Sequence, residues 1–116
     1  MSVTSIIYWA STGLLSVAML FSAYAYLTKP AMKEAFSHLG YPAYFRVELA
    51  VAKLVGVALL LAPVGPHLKD WAYAGFAFTF VSAFIGHSAL GDPVAQRVGP
   101  LVMLGLLVAS YATFML

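Results

Sequence analysis

The stretch 44-YFRVELAVAKLVGVALLLA-62 decides the fold that this sequence predicts. It is apolar enough for a membrane-spanning helix, yet it contains Arg46, Glu48 and Lys53, whereas the other three long apolar segments carry no charged residue. Each such group costs roughly 2.5–3.5 kcal/mol at the centre of a membrane span. Other parts of the protein must therefore offset this cost, and we expect any function to lie beside this helix.

Composition indicates the broad class of protein. Apolar residues make up 63% of the 116 residues and charged residues only 9%, and a soluble globule of this size does not bury so much apolar surface. We therefore predict an integral membrane protein, with the lipid bilayer as its first partner. Six basic residues against four acidic ones are too few for a nucleic-acid surface, so no nucleic acid is expected to bind. The absence of cysteine excludes disulfides and thiolate metal sites.

Four segments have the length that crosses a bilayer, which is about 20 apolar residues. They are approximately residues 6–27, 44–62, 71–90 and 98–116. No basic residue precedes the first of them, which favours a span over a cleaved leader. Asp70 and Asp92 are predicted to cap the third and fourth helices, with Gly91 ending the third and Pro93 in the first turn of the fourth. The predicted fold is all-α: one domain over residues 1–116, an integral membrane four-helix antiparallel bundle.

The connection over residues 28–43 has a pattern of its own. Apolar residues recur at helical spacing between Pro30 and Gly40, and polar residues fill the opposite side. This pattern predicts a short amphipathic helix that lies in the membrane interface between the first two spans, either as a simple bridge or as a lid. Basic residues lie mostly on this side of the bundle (Lys29, Lys33, Arg46, Arg97), which favours both termini outside and the short helix in the cytoplasm.

Ionisable residues suggest where a ligand binds. At 1.5 Å per residue, Glu48 lies roughly 6 Å and Lys53 roughly 13 Å along the second span, and they are rotated by about 140° from each other. Lys53 instead shares a face with Arg46. The third span runs back, so His87 returns to the depth of Glu48, and we expect these two side chains to meet. Ser22 and Tyr26, at the same end of the first span, complete the predicted polar cluster.

Such a cluster in an apolar, aromatic surrounding suits a quinone headgroup or another lipophilic small molecule. A purely structural interpretation stays open beside it, in which Arg46 reaches the lipid phosphates, Glu48 is a counter-charge and His87 is an ordinary polar residue near a helix end. Small residues also recur on one face of the third span, which favours close contact with a neighbouring helix (Ala72, Gly75, Thr79, Ser82, Gly86). A homo-oligomer stays open.

The sequence contains no motif for metal binding or catalysis. His38, His67 and His87 fall in three separate segments, so no histidine pair has ligand spacing along one helix, and no metal site is predicted. A phosphate-binding loop, a serine elbow and a pair of inward carboxylates are all missing from the sequence. We therefore predict no catalytic residues, and whether the protein is an enzyme stays open.

Several short motifs, taken in order, resemble the DoxX-like family of small four-helix membrane proteins. They are Leu39-Gly40-Tyr41-Pro42, Lys53-Leu54-Val55-Gly56, Trp71-Ala72-Tyr73-Ala74-Gly75-Phe76, and His87 followed by Gly91-Asp92. The resemblance implies a multi-pass protein of the bacterial cell membrane, within a wider group that includes subunits linked to quinol oxidase and to thiosulfate–quinone oxidoreduction. This chain departs from the family pattern at Thr79, where an acidic residue is frequent, and at Gly86, where serine is.

Three functions follow as hypotheses. The favoured one is a non-catalytic membrane subunit or accessory protein that binds a quinone or another lipophilic molecule within a redox or stress-related complex. The second is a small multidrug-type transporter, although proteins of that class resemble one another in a carboxylate within the first span, and residues 6–27 contain none. The third is a membrane enzyme that acts on a lipophilic substrate.

Overall fold

A computed structural model describes residues 2–116, which form five α-helices and no strand. The helices are α1 (Val3–Thr28), α2 (Pro30–His38), α3 (Ala43–Leu61), α4 (Pro66–Ala89) and α5 (Val94–Phe114). The all-helical prediction is confirmed, and α2 occupies the segment predicted to be the short amphipathic helix. Of these helices, α1 and α5 are long and apolar enough to cross a membrane. For α3, with its three charged residues, and for α4, spanning stays a prediction.

Two of the predicted helix starts are wrong. The third long helix begins at Pro66 with Gly65 as its N-cap, so Asp70 lies inside α4 and caps nothing. Proline at the first helical position has no amide hydrogen to leave unpaired, which makes Pro66 a good start. The N-cap of α5 is Pro93, and the Asp92 side chain accepts hydrogen bonds from two histidines instead.

The long helices pack side by side around one apolar core. Helix α1 contacts α3 and α5, while α4 contacts α5 closely and α3 less extensively. The core residues come from all four of these helices: Leu15, Met19, Val57, Leu60, Ala72, Tyr73, Phe76, Phe80 and Leu107. Helix α2 lies across one end of this group and contacts α3 and α1, with Phe36 as its buried residue. The weaker α3–α4 contact leaves a groove between these two helices.

A buried group of hydroxyls joins three helices towards the other end. Ser110 of α5 is fully buried and hydrogen-bonds both Thr12 of α1, at 2.6 Å between oxygens, and Tyr73 of α4, at 2.7 Å. Tyr73 lies in the first half of α4, and only 4% of it is exposed. A buried phenol needs a hydrogen-bond partner, and Ser110 provides it.

The small residues of α4 do not form the close helix contact that their spacing predicted. Ala72 is buried, but Gly75 and Ser82 are exposed, and a methyl group built on Gly75 would meet no atom within 4 Å. These residues line the groove between α3 and α4 instead. Small side chains here leave space open rather than bring two backbones together.

Within residues 2–116, Gly56 is the one glycine whose missing side chain allows close contact between α3 and α4. A methyl group at this position would lie 2.6 Å from the ring of Phe76, which is itself buried. The ring must move into a filled core to make room.

We therefore expect Gly56→Ala to lower the free energy of unfolding by about 1–3 kcal/mol, measured by denaturation in detergent micelles. Gly105→Ala is the matched control, because a methyl group there meets no atom within 4 Å. The control is expected to keep or raise stability, since alanine is the better helix former. Equal effects of the two substitutions would contradict the packing described here.

Candidate functional site

The charged residues of α3 lie on its buried face. Arg46, Ala50, Lys53, Val57 and Leu60 recur at intervals of three and four residues and are all buried, so one stripe of α3 carries both basic groups inward. The predicted shared face of Arg46 and Lys53 is confirmed. Both side chains point to the last turns of α1, which is the helix that offsets the cost of burying them.

Lys53 meets two side chains of α1. Its Nζ donates a hydrogen bond to Ser22 Oγ at 2.7 Å and lies 3.8 Å from the centroid of the Tyr26 ring. A cation at this distance from the face of a tyrosine ring is attracted by the ring quadrupole. Only 5% of Lys53 is exposed, and no carboxylate forms a salt bridge with it among residues 2–116. The buried Lys53 ammonium is therefore stabilised by the Ser22 hydroxyl and the Tyr26 ring rather than by a counter-charge.

Arg46 holds the end of α1. Its Nη1 donates a hydrogen bond to the backbone carbonyl of Tyr26, in the last turn of that helix. Carbonyl groups in a final helical turn have no partner within the helix, so a buried guanidinium satisfies one of them. Lys69 does the same for α3, because its Nζ lies within hydrogen-bond distance of the carbonyls of Leu59, Leu60 and Ala62.

This arrangement predicts opposite effects for the two ends of the Lys53–Ser22 bond. Lys53→Met removes a buried charge that has no carboxylate partner and replaces it with an apolar chain of similar length, so stability should stay equal or increase. Ser22→Ala leaves the ammonium buried without its hydroxyl acceptor and should lower the free energy of unfolding by about 1 kcal/mol or more.

Both changes are measured by the same detergent unfolding titration. A large loss of stability in Lys53→Met with no loss in Ser22→Ala would contradict this account of how α3 is held to α1.

The second cluster lies where α4 turns into α5. His87 Nδ1 lies 2.6 Å from Oδ2 of Asp92, and His38 Nε2, from α2, lies 2.8 Å from Oδ1. Asp92 is 8% exposed in its side chain, His87 21% and His38 57%. One buried carboxylate thus joins a half-buried and an exposed histidine, and it connects α2 to the end of α4.

The backbone turn explains how Asp92 reaches His87. Gly91 adopts a left-handed conformation with φ of 70°, and the amide of Asp92 donates to the carbonyl of His87 at 2.9 Å. This is the pattern of a glycine that ends a helix and folds the chain back over its last turn. Gly40, with φ of 85°, ends α2 in the same way, and the amide of Tyr41 donates to the carbonyl of Phe36.

Glu48 does not join either cluster. It lies on the exposed side of α3, so the contact with His87 that the sequence suggested does not form, and His87 Nδ1 is bonded to Asp92 instead. The rotation of Glu48 away from Lys53 agrees with the helical geometry. The structure thus brings Ser22, Tyr26, Arg46 and Lys53 together, places His87 beside Asp92, and leaves Glu48 apart.

Donors surround the Asp92 carboxylate. The pKa of Asp92 lies below its ordinary value, first because His87 and then because His38 donate hydrogen bonds to the ionised form. Arg97 of α5 also donates from Nε to the backbone carbonyl of Asp92 at 2.8 Å, which fixes the turn. Asp92 is therefore ionised at neutral pH, and an ionised carboxylate only accepts hydrogen bonds.

A cavity of about 550 Å³ lies between the two clusters. Tyr26, with Lys53 behind its ring, forms one wall and His87 forms part of another. The remaining lining residues are mostly apolar or aromatic and come from α2, the turn after it, the start of α3, α4 and α5: Met32, Ala35, Phe36, Leu39, Tyr41, Phe45, Leu49, Phe78, Thr79, Ser82, Ala83 and Gln96. A smaller cavity of about 300 Å³ continues along the α3–α4 groove and includes Lys53 and Gly75 in its lining.

The depressed pKa of Asp92 predicts a pH dependence with a definite sign. The ionised carboxylate stabilises the fold fully above the unfolded pKa of about 3.9, and this contribution is lost as the pH falls through the lower folded pKa. Asp92→Asn should therefore be less stable than the wild type at pH 7, and the difference should shrink below about pH 4.

Thermal unfolding of both proteins between pH 3 and pH 7 measures this difference. Glu34→Gln, an exposed acid of α2, is the control and should match the wild type throughout. A difference between wild type and Asp92→Asn that grows on acidification would contradict the contact.

The chain belongs to the DoxX-like family, whose sequence model matches residues 10–110. The resemblance found in the short motifs is thereby confirmed over most of the chain. This family and the two helices long enough to cross a bilayer together indicate a membrane protein. Comparisons with curated proteins and with solved structures find no match.

Sequence reasoning missed Asp92 and His38 as partners of His87. The signal was the order His87, Gly91, Asp92, since a glycine that ends a helix returns the next residue to the helix's last turn. By local pattern alone, Asp92 is a helix-cap candidate and His38 is one of three histidines in separate segments.

Proposed function

We propose that this protein is a non-catalytic, multi-pass membrane subunit or accessory protein that binds a quinone or another lipophilic small molecule, as part of a redox or stress-related complex. The observation that carries the proposal is the cavity between Tyr26 and His87. Its volume of about 550 Å³ falls in the range of sites for small molecules, and such sites combine an apolar lining with a few oriented polar groups.

The shape of the lining supports a flat, ring-containing ligand. Aromatic side chains line the cavity from α1, α2, α4 and the start of α3, and the Lys53 ammonium lies over the Tyr26 ring. Stacked and edge-on contacts between rings contribute about 0.5–1.5 kcal/mol each beyond the burial of their area. A headgroup ring with an apolar tail fits both the cavity and the groove that continues from it.

The membrane arrangement is part of the same proposal. Four antiparallel spans (α1, α3, α4 and α5) are supported by the order of helix contacts and by the short connections after α3 and α4. Basic residues then place α2 in the cytoplasm and both termini outside, and the family resemblance supports the bacterial cell membrane. In this orientation the cavity lies in the cytoplasmic half of the bundle, where a membrane-dissolved molecule reaches it from the bilayer.

A non-catalytic role is supported by the contacts of the ionisable groups. Arg46 satisfies a helix end, and Lys53 is bonded to Ser22, so neither presents a free charge to the cavity. Glu48, exposed on the outer side of α3, is a candidate contact for a partner protein rather than for the ligand.

Photolabelling with a short-chain benzoquinone that carries a photoreactive group tests the proposal. We expect the label on peptides of α2 and α4 that line the cavity, and we expect competition by the unlabelled benzoquinone. Labels spread over the lipid-facing surface without competition would overturn the proposal.

Two substitutions in α2 give a matched comparison. Ala35 lines the cavity, whereas Ala31 is exposed and lies outside it. Ala35→Leu should reduce the competed labelling by about tenfold because its added carbons occupy ligand space, while Ala31→Leu should leave it unchanged.

A further inference from the structure

We infer that the cavity selects ligands whose ring carries a hydroxyl group, such as a phenol or a hydroquinone, over ligands whose ring carries only carbonyl or ether oxygens. This inference rests on the proposed function, since it names the chemical class of ligand for the same cavity. It follows from the hydrogen bonds that Asp92 makes, which fix the form in which His87 faces the cavity.

The Asp92 carboxylate accepts both of its histidine contacts. An ionised carboxylate has no hydrogen to donate, so the nitrogen at each contact must carry one. In His87 that nitrogen is Nδ1, at 2.6 Å from Oδ2 of Asp92. In the neutral form of His87 the imidazole carries a single N–H, and Nε2 is then left with a lone pair.

Nε2 is the atom of His87 that is free to meet a ligand. Within residues 2–116 it has no hydrogen-bond partner, and it is not among the buried polar atoms that lack one, so it retains access to open space. His87 lines the cavity, and its Nδ1 side is occupied by Asp92. The atom that His87 presents to the cavity is thus a hydrogen-bond acceptor, and the bond from Nδ1 to Asp92 holds the ring in place.

A hydrogen-bond acceptor at this position favours ligands that can donate a hydrogen bond. A ring hydroxyl donates a hydrogen bond to Nε2, which replaces the one that it donated to water. A quinone carbonyl at the same place has only lone pairs to offer, so Nε2 of His87 stays unpaired and the carbonyl can be satisfied only by another lining donor such as Ser82 or Gln96. Sites that are built to hydrogen-bond a hydroxyl discriminate strongly against analogues that lack it.

His38 holds the other oxygen of the same carboxylate. Its bond to Oδ1 leaves Oδ2 for His87 alone, and it ties the cavity-lining helix α2 to the same carboxylate. Asp92 and His38 are positioning residues, because they act on the ligand through His87.

The experiment measures the affinity of the purified protein for three probes with one ring skeleton: a short-chain hydroquinone, its benzoquinone and its dimethyl ether, under anaerobic conditions. The wild type should bind the hydroquinone about tenfold more tightly than either of the other two. The ether separates hydrogen bonding from redox state, because it keeps the reduced ring but has no hydroxyl.

His87→Asn is the decisive variant. The amide of asparagine can donate to Asp92 from nearly the position of Nδ1, so the turn is kept, but nothing replaces the acceptor at Nε2. This variant should bind all three probes equally. His87→Phe is a second variant that keeps a ring and removes both nitrogens, and it too should lose the preference. His67→Phe, an exposed histidine at the start of α4, is the matched control and should keep it.

The outcomes separate the two claims. Equal binding of the three probes by the wild type, or a preference that survives in His87→Asn, would overturn the selection of hydroxyl-bearing ligands and leave the lipophile-binding function standing. No binding of any probe by the wild type would overturn the proposed function and the inference together.

Discussion

The hydrogen bonds of the Asp92 carboxylate are the constraint on which the candidate site depends. A single buried acid joins the end of α4, the start of α5 and the short helix α2, which otherwise touches the other helices through few residues. Without this link, α2 would have Phe36 and little else to hold it over the cavity. The same carboxylate orients His87, so the shape of the cavity and the chemistry of its wall have one origin.

The charges of α3 serve the structure at the same end of the protein. Arg46 and Lys53 point into the last turns of α1, where a helix carbonyl, a hydroxyl and the face of a ring replace the water that they lose. The other end is joined differently, by Thr12, Tyr73 and Ser110, whose three hydroxyls satisfy one another in the core. Each end thus has a polar connection between helices, and the end with α2 also contains the cavity of about 550 Å³ between Tyr26 and His87.

The helices could be predicted from the sequence because their signals are local. Proline and glycine mark the ends of the apolar segments, and the spacing of Arg46 and Lys53 places both on one face of α3 without any knowledge of neighbours. The site was predicted only in part, because its contacts are not local. In the sequence, Asp92 fits the pattern of a helix N-cap as well as it fits its observed role, which is to accept hydrogen bonds from two histidines. Only the fold brings His38 close enough to bond this carboxylate.

The other errors have the same cause. Gly75 and Ser82 have the spacing of a helix-packing face, yet the neighbouring helix stands away from them, so they border a groove. Tyr73 has the composition and position of an interfacial ring, yet Ser110 gives its hydroxyl a partner in the core. In each case the pattern identifies a surface correctly, and what lies opposite that surface depends on the packing of the whole chain.

The most direct test of this account is the tautomer of His87, measured by ¹⁵N NMR on histidine-labelled protein in lipid bilayers at neutral pH. We expect Nδ1 to carry the hydrogen and Nε2 the lone pair, and we expect Asp92→Ala to change this signal while an exposed histidine such as His67 keeps its own. A His87 that carries its hydrogen on Nε2, or one that does not respond to the loss of Asp92, would contradict the central role given to this carboxylate.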